Sequence, residues 1–335
     1  MSAHGLPVGR KRLRIDAFMA GLILALAIGF TVPGLGRDGG VLHLEWITRF
    51  GVCGIFLLYG LTLDPKRMLH GFGKARVHIA VQLMTFVVFP LVVLALLALL
   101  PASAPQPVLT GLFYVAAVPS TVSSSVAMVS LARGNVPVAV FNATISSLIG
   151  VVVTPLWMSW YLSTDSASVP VLPMLAKVAL LVVLPIVFGQ LARIWLAGWA
   201  SRNGGWIKHV DRIIILFIVL GAVSNTTAEG IWSRHEPTVL VVAIMLAVVT
   251  FFICYGIGIA LARALKFETA DRIAFLFCSS KKSLAFGVPL APVVLPQTAD
   301  IGLALIPLMA FHFFQLIIVS VIAGRYARRT VAVDA

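Results

Sequence analysis

A long stretch of this sequence carries no charged residue. No Asp, Glu, Lys or Arg occurs from Val77 to Ala132. A soluble domain cannot cover its surface without charges, which normally make up about 25% of its residues. Here charged residues are 11% of the chain and hydrophobic residues 60%, with a mean hydropathy of +1.04. The sequence therefore predicts an all-α polytopic membrane protein, and it excludes a cytosolic enzyme, a disordered chain and a secreted disulfide scaffold.

Ten apolar segments are long enough to cross a bilayer, since a helical span needs about 20 residues. They cover roughly residues 17–36, 46–63, 77–100, 108–132, 136–162, 171–195, 212–228, 238–262, 272–295 and 301–324. Ten spans place both termini on one side. The loops of that side carry 19 Lys and Arg, and the opposite loops carry 3. The positive-inside rule then predicts an inner (cytoplasmic) membrane protein with both termini cytoplasmic, and it explains the +13 net charge without nucleic acid as a partner.

Polar runs that interrupt a helix occur within the fourth and the ninth predicted spans. The first contains Pro119, Ser120, Thr121, Ser123, Ser124 and Ser125, and the second contains Ser279, Ser280, Lys281, Lys282 and Ser283. Each run lies in the fourth member of a set of five spans. Because five is odd, residues 1–162 and 163–335 are predicted to form two inverted repeats. Interrupted segments at matching positions are typical of secondary transporters and indicate a binding site near the midplane.

The two lysines are the least expected residues of the ninth span. A charge at the centre of a membrane helix costs about 2.5–3.5 kcal/mol even on the lenient insertion scale. Adjacent residues on a helix point about 100° apart. We therefore expect one lysine to face the site and the other to snorkel or to face a water-filled path. The sequence leaves open which of the two faces the site.

Groups that other functions need are missing from the predicted spans. No Asp or Glu lies in the middle of any of them, and cation/proton antiporters usually need such a carboxylate. The sequence has no metal-ligand spacing and no catalytic constellation, so we expect neither an enzyme nor a cofactor. His312 and Gln315 share one face of the tenth span. His312 is interpreted either as a group that titrates near neutral pH or as a hydrogen-bonded core histidine.

Several of these segments resemble one known family. They are residues 118–125, 133–136, 141–143 and 278–289. They are similar to the bile acid:sodium symporter superfamily, and in particular to its SBF-like branch. Weaker matches are residues 60–63, Gln82 with Pro90, and His312 with Gln315. The resemblance covers nearly the whole chain.

The resemblance implies ten helices in two inverted five-helix repeats. Spans 1, 2, 6 and 7 would form a panel domain, and spans 3–5 and 8–10 a core domain. Spans 4 and 9 would be unwound and would cross each other. A small-molecule substrate would bind between panel and core at the crossing, and rocking of the two domains in the bilayer would give alternating access.

The sodium sites that the resemblance implies are incomplete here. This chain retains hydroxyls near Ser125, together with Gln82, and Asn142 is a nearby polar residue. It has no acidic residue in the ninth-span crossover, and Ala139 and Ala143 replace small hydroxyl residues of the fifth span. A lysine ammonium would also repel a sodium ion. We therefore expect at most a vestigial sodium site near Ser124, Ser125 and Asn142, with Lys282 in the place of a cation. From there Lys282 would bind an anionic substrate or couple transport to protons.

The sequence thus favours a secondary transporter for an organic anionic solute, with sodium or protons as coupling ion. The alternatives are a cation/proton antiporter and a non-transporting regulator of ion homeostasis. A membrane enzyme is disfavoured, because the histidines are scattered. The substrate and the oligomeric state are not predicted.

Overall fold

The computed structural model describes residues 17–64, 73–100, 106–163, 171–234, 237–295 and 300–333. Within these ranges the chain is helical and has no strand. Twelve main helices follow one another: α1 (Ala17–Thr31), α2 (Leu44–Thr62), α3 (Ala75–Leu97), α4 (Gln106–Ala117), α5 (Ser123–Leu131), α6 (Val136–Ser163), α7 (Leu172–Arg202), α8 (Gly204–Ala228), α9 (Pro237–Ala264), α10 (Thr269–Ser279), α11 (Leu284–Val294) and α12 (Ile301–Val333). Single helical turns cover Pro33–Gly36 and Ile231–Arg234.

Seven segments of the described chain are long and apolar enough to cross a membrane. They are α2, α3, α6, α7, α9, α12, and α10 and α11 taken together. Helices α1 and α4 are apolar but shorter. The chain is therefore a polytopic helical membrane protein. The basic residues Arg10, Lys11, Arg12, Arg14, Lys66 and Arg67 that entered the predicted topology lie outside the described residues.

The helices differ from the predicted spans mainly at their ends. The first predicted span is wrong beyond Thr31, because the helix stops there and Pro33 begins a separate turn. Helices α7, α8 and α12 extend beyond the predicted spans into residues that include Arg202, Lys208 and Arg325. The apolar pattern marks only what hydrocarbon covers, whereas helical hydrogen bonds also form between residues that water can reach.

Helices α1, α2, α7 and α8 pack against one another. Two glycines allow the close approach of α2 and α7. A Cβ at Gly60 would overlap the Ile186 carbonyl oxygen, and one at Gly189 would overlap the Leu57 carbonyl oxygen. Without a hydrophobic driving force between helices in lipid, such close contacts are a main source of association. Gln190 Nε2 also donates to the carbonyl oxygens of Gly60 and Leu63 at 2.5 and 3.0 Å, and thus caps the end of α2.

The remaining helices surround α10 and α11. Helix α10 contacts α3, α5, α6 and α9, and α11 packs against α12. Of the most apolar 18-residue window in this segment, 94% is buried, against 33–50% in the other six candidate spans. The segment with the two lysines therefore lies inside the helix assembly and not against lipid.

A polar cluster ties the starts of α3, α6 and α10 together. The Asp271 carboxylate, 4% exposed, accepts Lys74 Nζ at 2.9 Å and Asn135 Nδ2 at 2.8 Å. The Asn135 backbone N–H donates to the Ala270 carbonyl oxygen at 3.0 Å. The hydrogen bond that Lys74 Nζ donates to the Asp271 carboxylate is the main cause that raises the pKa of the Lys74 amine. The cluster holds one end of the inner helices in register.

Candidate functional site

Helix α4 ends at Ala117 and α5 begins at Ser123, within the first polar run. Pro119 has no N–H to continue the helix, and its ring packs on Gly150 of α6. The freed backbone groups find partners on α6. Ser120 N–H donates to Ser146 Oγ at 3.1 Å, and the Ala117 carbonyl accepts Thr154 Oγ1 at 2.8 Å.

Helix α10 ends at Ser279 and α11 begins at Leu284, within the second polar run. Gln315 of α12 holds the backbone between them. Its Oε1 accepts Lys282 N–H and its Nε2 donates to the Lys282 carbonyl, both at 2.8 Å. Ser283 Oγ caps α11 by accepting Phe286 N–H at 3.2 Å. The break therefore has a defined geometry, because α12 and Ser283 satisfy its backbone groups.

The two breaks lie against each other. Ser120 Oγ and Ser125 Oγ donate to the carbonyl oxygens of Cys278 and Phe277 at the end of α10, at 2.5 and 3.1 Å. Ser283 N–H donates to the Pro119 carbonyl at 2.9 Å. Side chains of the first break thus satisfy carbonyls that the second break frees.

Lys282 makes the reverse connection. Its side chain is fully buried, and Nζ donates to the carbonyl oxygens of Ala116 and Val118 at 2.6 and 3.0 Å and of Thr85 at 2.8 Å. The Phe89 ring centroid lies 4.3 Å from Nζ, within the range of a cation–π contact. An ammonium has three N–H donors, and each of them has a carbonyl here.

Two irregularities free these carbonyls. Helix α3 contains a π turn at Met84–Val88, in which Phe89 N–H donates to Met84 instead of Thr85. Pro90, the next residue, has no N–H to donate. Ala116 lies in the last turn of α4, and Val118 directly follows the helix. Carbonyls at a C-terminal helix end have no helical partner and carry partial negative charge.

Lys281 is also fully buried, but its surroundings are different. Nζ donates to Ser124 Oγ at 2.7 Å, and Ser124 is only partly buried. From Ser124 a chain of hydroxyls runs through Thr121 Oγ1 at 2.9 Å to Ser125 Oγ at 2.8 Å. No side chain caps the start of α5 beside it. The amides of the first turn of α5 therefore have no helical acceptor.

The expectation that the two lysines point about 100° apart on a helix is wrong, and neither of them snorkels. That one faces the site and the other a water-filled path stays a prediction. Residues 280–283 are not helical, and both lysines are 0% exposed. Their ammonium groups instead contact different elements: Lys282 contacts α3 and α4, and Lys281 contacts α5.

The other predicted site residues lie close to the breaks but make separate contacts. Gln82 Nε2 of α3 lies 3.3 Å from Asn142 Oδ1 of α6, and Asn142 Nδ2 donates to the Val138 carbonyl. Asn142 and Ser125 thus bond to different groups. His312 Nδ1 accepts Gln315 Nε2 at 2.9 Å, which favours the hydrogen-bonded core histidine over a titrating group.

Ser279 and Ser280 are the two predicted site residues that remain, and in the described chain neither side chain donates a hydrogen bond to the other break. Ser280 Oγ donates to the Leu276 carbonyl at 2.6 Å. Ser279 Oγ is buried and has no hydrogen-bond partner among the described residues. Within those residues no cluster of three or more His, Cys, Asp or Glu could hold a metal ion.

The chain matches a protein-family model over nearly its whole length. Residues 16–328 match the model of the SBF-like CPA transporter family. The chain belongs to this family.

Relatives of this SBF-like chain occur in bacteria and in vertebrates. A protein of Pseudomonas aeruginosa named only as uncharacterised is 38% identical, over 96% of each chain. The "Putative symporter YfeH" of Escherichia coli is 34% identical, over 94% of each chain. "Sodium/bile acid cotransporter 7" of Xenopus tropicalis is 30% identical, over 93% of this chain and 92% of the relative. These names indicate a secondary transporter and not an enzyme.

Sequence reasoning missed two parts of this SBF-like site. Thr85 and Phe89 contact the Lys282 ammonium through a backbone carbonyl and an aromatic ring. Neither residue is charged, so the sequence pattern of an apolar span does not single them out.

Pro90 was only a partial signal. In a regular helix a proline frees the carbonyl four residues earlier, which is Phe86, and Trp157 Nε1 donates to that oxygen at 2.8 Å. The π turn before Pro90 is what frees the Thr85 carbonyl. Gln190 was missed as well, although an amide in an apolar helix usually marks an interhelical hydrogen bond.

Proposed function

We propose that this protein is a secondary active transporter that moves an organic anionic solute by alternating access. The single observation that carries the anionic character is Lys281. Its ammonium is buried and has no acidic partner among the described residues, donates to the partly exposed Ser124, and lies beside the uncapped start of α5. An ammonium and free helix N–H groups together favour an anion.

The exposed face of α5 supports a water-filled approach to this point. Ser123, Ala127 and Ser130 are exposed there. Leu131 at the end of the helix is the one large apolar side chain exposed on α5, at 47%. The exposed face of α3 instead carries a series of large apolar side chains, such as Ile79 and Leu91, at 60 and 54%. Large apolar side chains suit lipid, and small or polar ones suit an aqueous cavity. In α11 only Ala285 is exposed. The cavity therefore opens along α5 and is closed along α11.

The proposed architecture has ten spans in two inverted repeats. In it α4 with α5, and α10 with α11, each form one interrupted span. Helix α4 has 12 residues and α5 has 9, so each half covers roughly half of a 30 Å hydrocarbon core. The reciprocal bonds between the breaks support the repeat. Helices α1, α2, α7 and α8 would form the panel, and both termini would be cytoplasmic in the inner membrane.

Sodium and protons are both proposed as coupling ions. The name of the Xenopus relative speaks for sodium. The vestigial site speaks against full sodium coupling, because the oxygens of Ser125 and Asn142 bond to different protein groups. A cation/proton antiporter and a non-transporting regulator of ion homeostasis stay as the alternatives.

A thermal-shift screen of the purified protein tests this function. Organic anions are screened with and without sodium across pH, since a ligand that binds only the folded state stabilises it by RT ln(1 + [L]/Kd). A hit should be lost in Lys281→Met and kept in Lys177→Met, which changes another lysine in a membrane helix. Uptake of the hit into proteoliposomes then shows transport. Stabilisation by cations alone, with sodium- or potassium-driven proton flux, would favour the antiporter instead.

A further inference from the structure

Lys282 lies in a cation site that the fold builds from backbone oxygens. The carbonyl cage consists of the Thr85, Ala116 and Val118 oxygens, at 2.6–3.0 Å from Nζ. The three oxygens lack their helical donors for two reasons. The π turn followed by Pro90 frees the Thr85 carbonyl, and the end of α4 frees the Ala116 and Val118 carbonyls. Three freed carbonyls that converge on one point would repel each other and cost several kcal/mol if unpaired.

The ligands of the cage are typical of a monovalent cation and not of an anion. All three are neutral oxygens with their negative ends directed inward, two of them lie at the negative end of a helix, and the Phe89 ring covers the ammonium with its negative face. Such a set stabilises one positive charge without a carboxylate. Oxygens of this kind also bind free hard cations.

We propose that the carbonyl cage is a monovalent-cation site that this protein fills permanently with its own Lys282 ammonium. The junction of the two breaks then carries a fixed positive charge and needs no free cation at this position. The tether also connects α3, α4 and the second break, because one ammonium bonds to both helices. Lys281, whose ammonium bonds to Ser124 instead, stays free for the solute.

The proposal predicts that a shortened Lys282 leaves a site that a free cation can occupy. Lys282→Ala removes Cγ to Nζ, and propylammonium has the same three carbons and nitrogen. We expect Lys282→Ala to lower the melting temperature of the detergent-purified protein by roughly 5–10 °C. Propylammonium, added during expression and heating, should restore at least half of that loss. Potassium or sodium should restore part of it, and tetraethylammonium, which is too large, none.

Four comparisons make this test decisive. Lys282→Met fills the space without a charge, so it should lose stability and respond to no cation. Lys281→Ala should not respond to propylammonium, because no carbonyl cage surrounds that ammonium. The wild type should be insensitive to the choice of cation at equal ionic strength. 1-Propanol should not replace propylammonium, since it fills the cavity without charge.

Several results would overturn the proposal. One is a Lys282→Met protein as stable as the wild type. Another is a recovery of the Lys282→Ala melting temperature by 1-propanol that equals the recovery by propylammonium. The third is a Lys282→Ala protein that does not fold, or whose melting temperature none of the cations raises. The readout is stability without solute. It therefore stands apart from the proposed transport function, which the anion screen tests.

Discussion

Two adjacent lysines take different roles in this protein because of the groups around their ammonium ions. Lys282 Nζ has three carbonyl acceptors, which satisfy all of its donors. Lys281 Nζ donates to one hydroxyl, at the edge of the exposed face of α5. The first arrangement fixes a charge within the core. The second leaves N–H donors on the Lys281 ammonium, which in the proposed function would bind the solute.

Gln315 is the residue that holds Lys282 in place, and its replacement gives a prediction at this scale. Gln315→Met keeps the size of the side chain but leaves the buried N–H and carbonyl of Lys282 unpaired, at about 1–3 kcal/mol for each group. We expect a melting temperature lower by roughly 5 °C or more. Thermal unfolding of the purified protein measures it.

Gln106→Met is the matched control, because Gln106 is exposed at the start of α4. It should leave the melting temperature unchanged. If Gln315→Met has the same melting temperature as the wild type, the hydrogen bonds between the Gln315 amide and the Lys282 backbone do not contribute to stability.

At the scale of elements, the irregular stretches do what regular helices cannot. The π turn of α3 and the ends of α4 and α10 direct carbonyl oxygens toward side chains instead of toward the next helical turn. The Thr85, Ala116 and Cys278 carbonyls, for example, accept side-chain donors from other segments. This arrangement makes the breaks compatible with membrane depth, where water does not satisfy backbone groups.

The contact of α2 with α7 depends on a small residue, which gives the second prediction. Gly60→Ala puts a methyl group into the Ile186 carbonyl and forces the helices apart, which costs about 1–3 kcal/mol. We expect reduced thermal stability in a melting experiment. Gly54→Ala in the same helix has no atom within 4 Å of the new Cβ, so it should be neutral or slightly stabilising, because alanine favours helix. Equal behaviour of the two variants would contradict close packing at Gly60.

At the scale of the whole molecule, the two halves of the crossing are unequally covered. Helix α11 contacts α2, α7 and α8, and Gly302 of α12 is so close to α8 that a Cβ would overlap Thr226. Helix α5 leaves Ser123, Ala127, Ser130 and Leu131 exposed. With the proposed topology, we expect the described state to be closed toward the outside and open toward the cytoplasm.

Accessibility of single cysteines tests this orientation. In a chain with Cys53, Cys254 and Cys278 replaced, Ser123→Cys should react with a membrane-impermeant maleimide in inside-out vesicles and not in spheroplasts. Val41→Cys, 73% exposed before α2, should show the opposite pattern. Labelling of Ser123→Cys from the outside alone would reverse the orientation, and equal labelling from both sides would contradict a cavity closed on one side.

The sequence alone determined the helical membrane class, the family resemblance and the position of both breaks. The membrane class and the breaks can be read locally, because hydrocarbon requires long apolar runs. A proline such as Pro119 or a charge such as Lys282 within an apolar run disfavours a regular helix against lipid, and it therefore points to a break. Only the tertiary structure decided which groups meet at the breaks. The partners of Lys282 are backbone oxygens of α3 and of the end of α4, 164–197 residues away along the chain. Every residue carries such an oxygen, so no side-chain pattern marks the few that a π turn or a helix end leaves free.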